Sequence, residues 1–184
     1  MVKNNLKEYK RKRDFSKTKE PAGRIKKTKP YKKLSFVIHE HHARRLHWDL
    51  RLEIEGVLKS WAVPKGPSLD PSDKRLAIQT EDHPIEYMTF KGEIPQGEYG
   101  AGEVLIWDKG WWEPLNEENP VVAIKKGHLR FRMHGKKLKG DFVLLQMPSI
   151  NDERNKNWLL IKHRDNKDKK NSVKKKLVIS PTKV

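Results

Sequence analysis

The sequence predicts an all-β fold with minor helix, built as a barrel or a sandwich. Three observations carry that expectation. Short strand-like runs recur along the 184 residues, separated by breaks rich in Gly, Pro or Asp. One run, Leu46–Ile54 (LHWDLRLEI), alternates cleanly between apolar and polar residues. No stretch shows the 3.6-residue apolar period of a long amphipathic helix, and no internal repeat is present. Many short strands with frequent turn signals are the pattern of antiparallel barrels and sandwiches.

Taken in order, residues 1–33 are Lys-rich, poor in large apolar groups, and broken by Pro21 and Pro30. They are expected to form a basic arm, mobile when free. Within it, KRDFSKTKEP sets Arg13, Asp14, Phe15 and Glu20 among the lysines, which is specific chemistry for a tail. A first strand is expected from Leu34 to His41. In the next, Leu46, Trp48, Leu50, Leu52 and Ile54 share one face, and His47, Asp49, Arg51 and Glu53 the other. Glu55-Gly56 reads as a hairpin turn returning through Val57–Val63. Pro64, Gly66, Pro67 and Pro71 enforce a loop that restrains Lys65. Lys74–Thr80 reads as a strand, and EDHPIEY as a polar connection in which Pro84 holds His83 extended. A glycine-rich loop, Gly97–Gly102, feeds a strand to Trp107, with Trp111 and Trp112 on a short returning strand. Pro120–Lys126 reads as a helical turn closed by Gly127. Strands at His128–His134, Leu138–Met147 and Asn157–His163 complete the chain, with a turn near Gly135. The tryptophans read as core.

Charge divides the chain in three. Residues 1–33 hold 14 Lys+Arg against 3 Asp+Glu, and residues 164–184 hold 8 against 2. The stretch between them is balanced, so the net +17 sits wholly on the two ends. A neutral domain with cationic ends suits a polyanion, nucleic acid first, through phosphate neutralisation and counterion release. There is no cysteine, which excludes disulfides and Cys-based metal centres and fits a reducing compartment. No apolar run approaches a membrane span, and the basic N-terminus lacks the apolar segment of a signal peptide.

Candidate chemistry concentrates between Phe36 and Ile54 (FVIHEHHARRLHWDLRLEI). If the first two strands pair, histidines from His39, His41 and His47 converge with Asp49. Two imidazoles and a carboxylate suit a divalent transition metal and leave positions open for water and substrate. The same polar face also reads as a solvated strand face. H-x-D followed by a distant histidine (His83, His128 or His134) is in addition the pattern of Fe(II) oxygenases. A non-catalytic nucleic-acid-binding module is a further alternative. The glycine loop lacks the G-K-[ST] ending of a P-loop, and no K-x-D-G nucleotidyl-transfer motif occurs.

Six ordered blocks then point to a family: KRDFSKTKEP, FVIHEHHARRLHWDLRLE, LKSWAVPKGPSLDP, KRLAIQTEDHPIEY, IPQGEYGAGEVLIWDKG and LRFRMHGKKLKGDFVL. Together they resemble the 3′-phosphoesterase domain of DNA ligase D, over nearly the whole chain. The resemblance implies a compact β-barrel at 34–163, flanked by a basic N-terminal arm (1–33) partly folded over the site and a basic C-terminal tail (164–184). It implies a manganese-dependent 3′-ribonuclease and 3′-phosphatase acting on primer–template ends, with Co2+ or Zn2+ as other candidate metals. By motif, His41, His47 and Asp49 would hold the metal. Arg51 and Arg75 would grip the scissile phosphate, with His83 and Tyr87 on its other side and His83 as proton donor. Arg13, Asp14, Glu20, His39 and Lys65 would contact substrate, His39 standing where the family commonly has glutamine. The resemblance further implies a monomer of the cytoplasm, associated with the nucleoid, working with a separate DNA ligase and end-joining factors.

Overall fold

The structure, a computed structural model, describes residues 6–27, 30–115, 119–148 and 155–164. Most of the C-terminal tail expected at 164–184 therefore lies outside the described residues. Strand β1 (Leu34–His42) pairs with β2 (Leu46–Ile54), which turns through Glu55-Gly56 into β3 (Val57–Val63). Both turn residues have positive φ, 49° and 79°, the two-residue turn whose twist matches that of a hairpin. The order continues through β4 (Lys74–Gln79), the two-residue β5 (His83–Pro84), a 3-10 turn at Ile85–Thr89 and β6 (Gly92–Ile94). It ends with β7 (Gly102–Pro114), β8 (His128–His134), β9 (Lys139–Gln146) and β10 (Asn157–Lys162). Two short helices, α1 (Lys7–Arg11) and α2 (Pro120–Lys125), complete the described elements. Asn119 caps α2, its side-chain oxygen accepting from the Val121 N–H, and Pro120 opens the helix.

All pairings are antiparallel. The order β1-β2-β3-β4-β10-β9-β8-β7 closes on itself because β7 also pairs with β1, which makes an eight-stranded barrel. The short strands β5 and β6 hang from β3 and β7. Closure removes the free edges that a sheet of this size would otherwise expose. The apolar parity of β2 faces inward, where Leu50, Leu52 and Ile54 meet Phe36, Trp61, Trp112, Phe131, Phe142 and Trp158. Five of the six tryptophans are buried; Trp111 is partly exposed and stacks on His134 with ring centroids 3.5 Å apart.

Two local readings change. The stretch expected as a strand to Trp107 with a separate returning strand at Trp111–Trp112 is one thirteen-residue strand, β7. The register against β1 shifts between Ile38 and His39, leaving Trp107 as the extra residue of a bulge. Asp108-Lys109-Gly110 looks like a turn, but the Asp108 carboxylate serves a neighbouring turn instead. It accepts from the N–H groups of Lys136, Lys137 and Leu138 at 2.8–3.1 Å, and from Lys109 at 2.9 Å. The connection between β4 and β6 contains the short β5 strand and the 3-10 turn.

A second apolar cluster lies on the outside of the barrel wall. Leu6 and Tyr9 of the N-terminal segment pack there with Val57, Leu58, Tyr87, Phe90, Ile94 and Val104. Burying those two side chains contributes roughly 3–6 kcal/mol towards docking the segment. The outer face of β1 and β2 is therefore covered rather than solvated: Asp49, Arg51 and Glu53 are all buried.

The four N–H groups that meet Asp108 make a direct prediction. Asp108→Ala leaves them without their buried charged acceptor and is expected to cost about 2–4 kcal/mol. A thermal melt should show a fall in Tm of roughly 5–15 °C.

Candidate active site

The outer face of the β1–β2 hairpin carries the site, and strand register explains its composition. His41 lies opposite His47, His39 opposite Asp49, and Arg51 opposite Ser60 of β3. Directly opposed residues of an antiparallel pair point to the same side, so period-two alternation delivers all of them to one patch. The bulge at Trp107 keeps β7 alongside this face while β1 continues past it.

His41, His47 and Asp49 come together, each offering one donor atom, all within 4.8 Å of one another. Their tautomers are set from behind. The His41 Nε2–H donates to the Gly100 carbonyl at 2.8 Å, and the His47 Nδ1–H donates to the Arg45 carbonyl at 2.9 Å. That turns the lone pair of His41 Nδ1 and of His47 Nε2 towards Asp49, at 3.6 and 3.5 Å from its two oxygens. Histidine ligands oriented by carbonyls through the other ring nitrogen are the usual support of a metal centre. Burial alone would push the Asp49 carboxyl up, but the Arg51 guanidinium that donates to it outweighs this and holds Asp49 ionised. Two neutral nitrogens and one carboxylate oxygen on one side fit a divalent transition ion with open positions.

Arg51 adjoins the triad, buried and fully oriented. Its Nη2 donates to Asp49 at 3.0 Å, its Nη1 to Ser60 Oγ at 3.0 Å and its Nε to His39 Nδ1 at 3.3 Å. The Tyr87 ring lies 4.8 Å from the guanidinium carbon. His39 is thus a support for Arg51, outside the three-residue donor group. Burial, then the Arg51 charge, pushes its pKa down to about 3, so it stays neutral.

Beyond Ser60 a second buried guanidinium closes the patch. Arg13 reaches Glu20 through Nε at 2.8 Å, Glu81 through Nη1 at 3.1 Å and His83 Nε2 through Nη2 at 3.3 Å. Glu20 also accepts from the Tyr87 hydroxyl at 2.9 Å and from Thr18 at 3.1 Å. The His83 Nδ1–H donates to the Glu81 carbonyl at 2.9 Å, with Ser60 Oγ at 3.4 Å. Burial, reinforced by Arg51 and Arg13, holds the His83 pKa well below the ordinary imidazole value that the sequence reading assumed. His83 is neutral here and accepts from Arg13. Burial pushes the Tyr87 phenol well up, so it too is neutral and donates to Glu20.

Nine of the twelve candidates meet in this patch; Asp14, Arg75 and Lys65 lie outside its contacts. Asp14 is exposed and accepts from the Ser16 N–H and hydroxyl, organising the turn after α1. Arg75 shares the parity of the core residue Ala77 and donates to Asp73 at 2.7 Å; it is not among the partners of Arg51 or His83. Lys65 is exposed just past β3, whose Val63 lies opposite Trp48, at the His47 end of the hairpin. His128 is exposed on β8, and His134 pairs with Glu113 at 3.2 Å, so neither joins the triad. Sequence reading missed Ser60, Glu81, Tyr9 and Gly100. Ser60 was within reach, because a two-residue turn at Glu55-Gly56 sets Arg51 opposite it. The others arrive from distant segments without a local signal.

The fold and site define a closed β-barrel protein with an external His-His-Asp donor group and a buried network around Arg51 and Arg13 beside it. The family model of the DNA ligase D 3′-phosphoesterase domain matches residues 39–146, and the chain belongs to that family. It is 49% identical over 160 residues to the multifunctional non-homologous end joining protein LigD of Pseudomonas aeruginosa, covering 87% of this chain and 19% of that protein. Identity is 45% over 174 residues to the Mycolicibacterium smegmatis protein of the same name, covering 91% of this chain and 22% of the relative. It is also 45% over 172 residues to the Mycobacterium tuberculosis DNA repair protein LigD, covering 92% and 21%. The chain therefore spans about a fifth of the length of these relatives. No described helix is long and apolar enough to cross a membrane.

The neutrality of His83 has a thermodynamic consequence. Its folded pKa lies below the unfolded value near 6.5, so its contribution is intact above that pH and is lost as pH falls, when only the unfolded chain takes up the proton. The loss should approach about 1.4 kcal/mol per pH unit below that value. Urea unfolding across this range should show the slope, and His83→Gln should remove its share.

Arg13 makes a second prediction for this site. Arg13→Ala leaves Glu20 and Glu81 buried without their guanidinium and should cost about 3–5 kcal/mol. The same denaturation assay at neutral pH would read it.

Proposed function

We propose that this chain is a metal-dependent 3′-end-healing phosphoesterase. It removes 3′-terminal ribonucleosides and 3′-phosphates from primer–template ends and leaves a 3′-hydroxyl for ligation. The observation that carries the reading is the buried Arg51, held between the Asp49 carboxylate and Ser60 at the edge of the His-His-Asp group. An apolar-walled oxygenase pocket would not bury a guanidinium against its carboxylate ligand; an oxyanion site requires a cation there. Membership of the phosphoesterase family supports the same class.

In this reading His41, His47 and Asp49 hold Mn2+, with Co2+ or Zn2+ as alternatives. The ion supplies Lewis acidity at a phosphoryl oxygen and a lowered pKa for bound water. Arg51 is already aligned, so it stabilises charge developing on the phosphoryl oxygens without reorganisation. Hydrolysis adds water to phosphorus and breaks the bond to the leaving oxygen, which needs a proton. His83 lies on the other side of Arg51, across Ser60. A phosphoryl dianion there would offset the two guanidinium charges that help keep His83 neutral, allowing it to take up a proton and pass it to that oxygen. Tyr87 and Glu20 hold Arg13 and so position His83. The cationic ends supply affinity for the duplex, and a DNA ligase activity with end-joining factors would seal the product. The active unit is a monomer in this proposal, cytoplasmic and nucleoid-associated.

The test is a 5′-labelled primer–template ending in a 3′-ribonucleotide or 3′-phosphate, incubated with Mn2+ under anaerobic conditions and resolved on a gel. Conversion to a 3′-hydroxyl is expected. His47→Ala and Asp49→Ala should abolish both steps, and Arg51→Ala should lower kcat by about 10²–10³-fold. Strict dependence on oxygen, or full activity of the His47→Ala/Asp49→Ala double variant, would overturn the reading.

A further inference from the structure

We infer that the cleft beside His41, between the β1–β2 hairpin tip and the Gln96–Gly102 loop, seats the nucleoside that bears the scissile phosphate. Arg44 grips the phosphodiester on that nucleoside's 5′ side. The inference rests on the phosphoesterase reading and adds a subsite to it.

Four observations converge. The cleft has a volume of about 510 Å3 and is lined by His42, Arg44, Gln96, Gly100 and Gly102. That size falls in the range of small-ligand sites. It adjoins the metal-donor group, since Gly100, which lines it, holds His41 through its carbonyl. Arg44 and Gln96 are exposed and make no ion pair or hydrogen bond with any described residue, so both have donors to spend on a ligand. Lastly, the opposite side of the triad is closed. His83, Tyr87, Glu20 and Tyr9 are all buried there, each within a few per cent of full burial, leaving a polynucleotide no exit on that side.

The backbone of the cleft is built for close approach. Gly102 has φ of +137°, and a Cβ there would meet the His42 carbonyl oxygen at 2.3 Å, so the loop can run this close to the hairpin only with glycine. Gly100, at φ +79°, packs on His41 Cε1. The hairpin tip is anchored too, because the Arg45 carbonyl accepts from His47. Arg44, one residue away, therefore starts from a backbone fixed beside the metal donors. A 3′-phosphate and a 3′-terminal ribonucleoside share one chemical feature: the scissile phosphorus is attached to the 3′ oxygen of the nucleoside that stays behind. Seating that nucleoside accounts for one site serving both reactions. A planar guanidinium makes a bidentate contact to its 5′ phosphodiester.

The experiment is a cycle between Arg44→Ala and a primer whose linkage 5′ to the terminal nucleoside is a neutral methylphosphonate. Binding is followed by fluorescence anisotropy with a chelator present, and turnover with Mn2+ by KM and kcat. Arg44→Ala should raise KM about tenfold with kcat nearly unchanged, the loss of one charge-assisted contact. It should also reduce the slope of log K against log salt by about one. The neutral linkage should weaken wild type by the same factor and add nothing to Arg44→Ala. Effects that multiply, or a KM and salt slope unchanged by Arg44→Ala, would overturn the subsite. A wild-type protein that binds the primer with this cycle intact but releases no phosphate would instead overturn the phosphoesterase reading and leave the cleft standing.

Discussion

The arrangement depends on one buried ion pair, Arg51 with Asp49, placed on the outside of a barrel wall. Taking two such ions out of water costs several kcal/mol each, and their attraction offsets that only if the remaining donors and acceptors are also satisfied. Here Ser60 and His39 take two further Arg51 donors, and two imidazoles face the carboxylate. Burial also requires a cover, because a barrel wall has only one core behind it. The cover is the N-terminal segment with the 3-10 turn, which brings its own apolar cluster and its own guanidinium, Arg13. A segment whose composition reads as a solvated arm thus forms one wall of the site.

The result is a buried patch in which two guanidiniums meet three carboxylates. Asp49 is shared among Arg51 and two histidines, while Arg13 is matched by Glu20 and Glu81. The two histidines between the guanidiniums, His39 and His83, stay neutral because burial and like charge both oppose a further proton.

The all-β class and the donor group were legible in the sequence because both rest on short-range rules. Alternation in LHWDLRLEI sets which residues share a face, and Glu55-Gly56 sets the register of the following hairpin. His41, His47 and Asp49 lie within nine residues and need only one hairpin to meet. Where a local signal had two uses, reading failed: Asp108-Lys109-Gly110 has the composition of a turn, yet its aspartate caps the β8–β9 turn and β7 runs on through a bulge.

By itself, then, the sequence determined strand periodicity, the hairpin register and a face shared by histidines and Asp49, because neighbours along the chain impose these through pleat and turn geometry. The choice of His41 and His47 came from the family resemblance. Only the tertiary structure decided that the polar face is buried, that Arg13 and Glu20 reach His83 and Tyr87, and that the Gly100 carbonyl sets the tautomer of His41. Those contacts join residues some 60–70 positions apart. They form only once the barrel has closed, because the outer cluster of Leu6, Tyr9, Tyr87 and Val104 needs the finished wall to pack against.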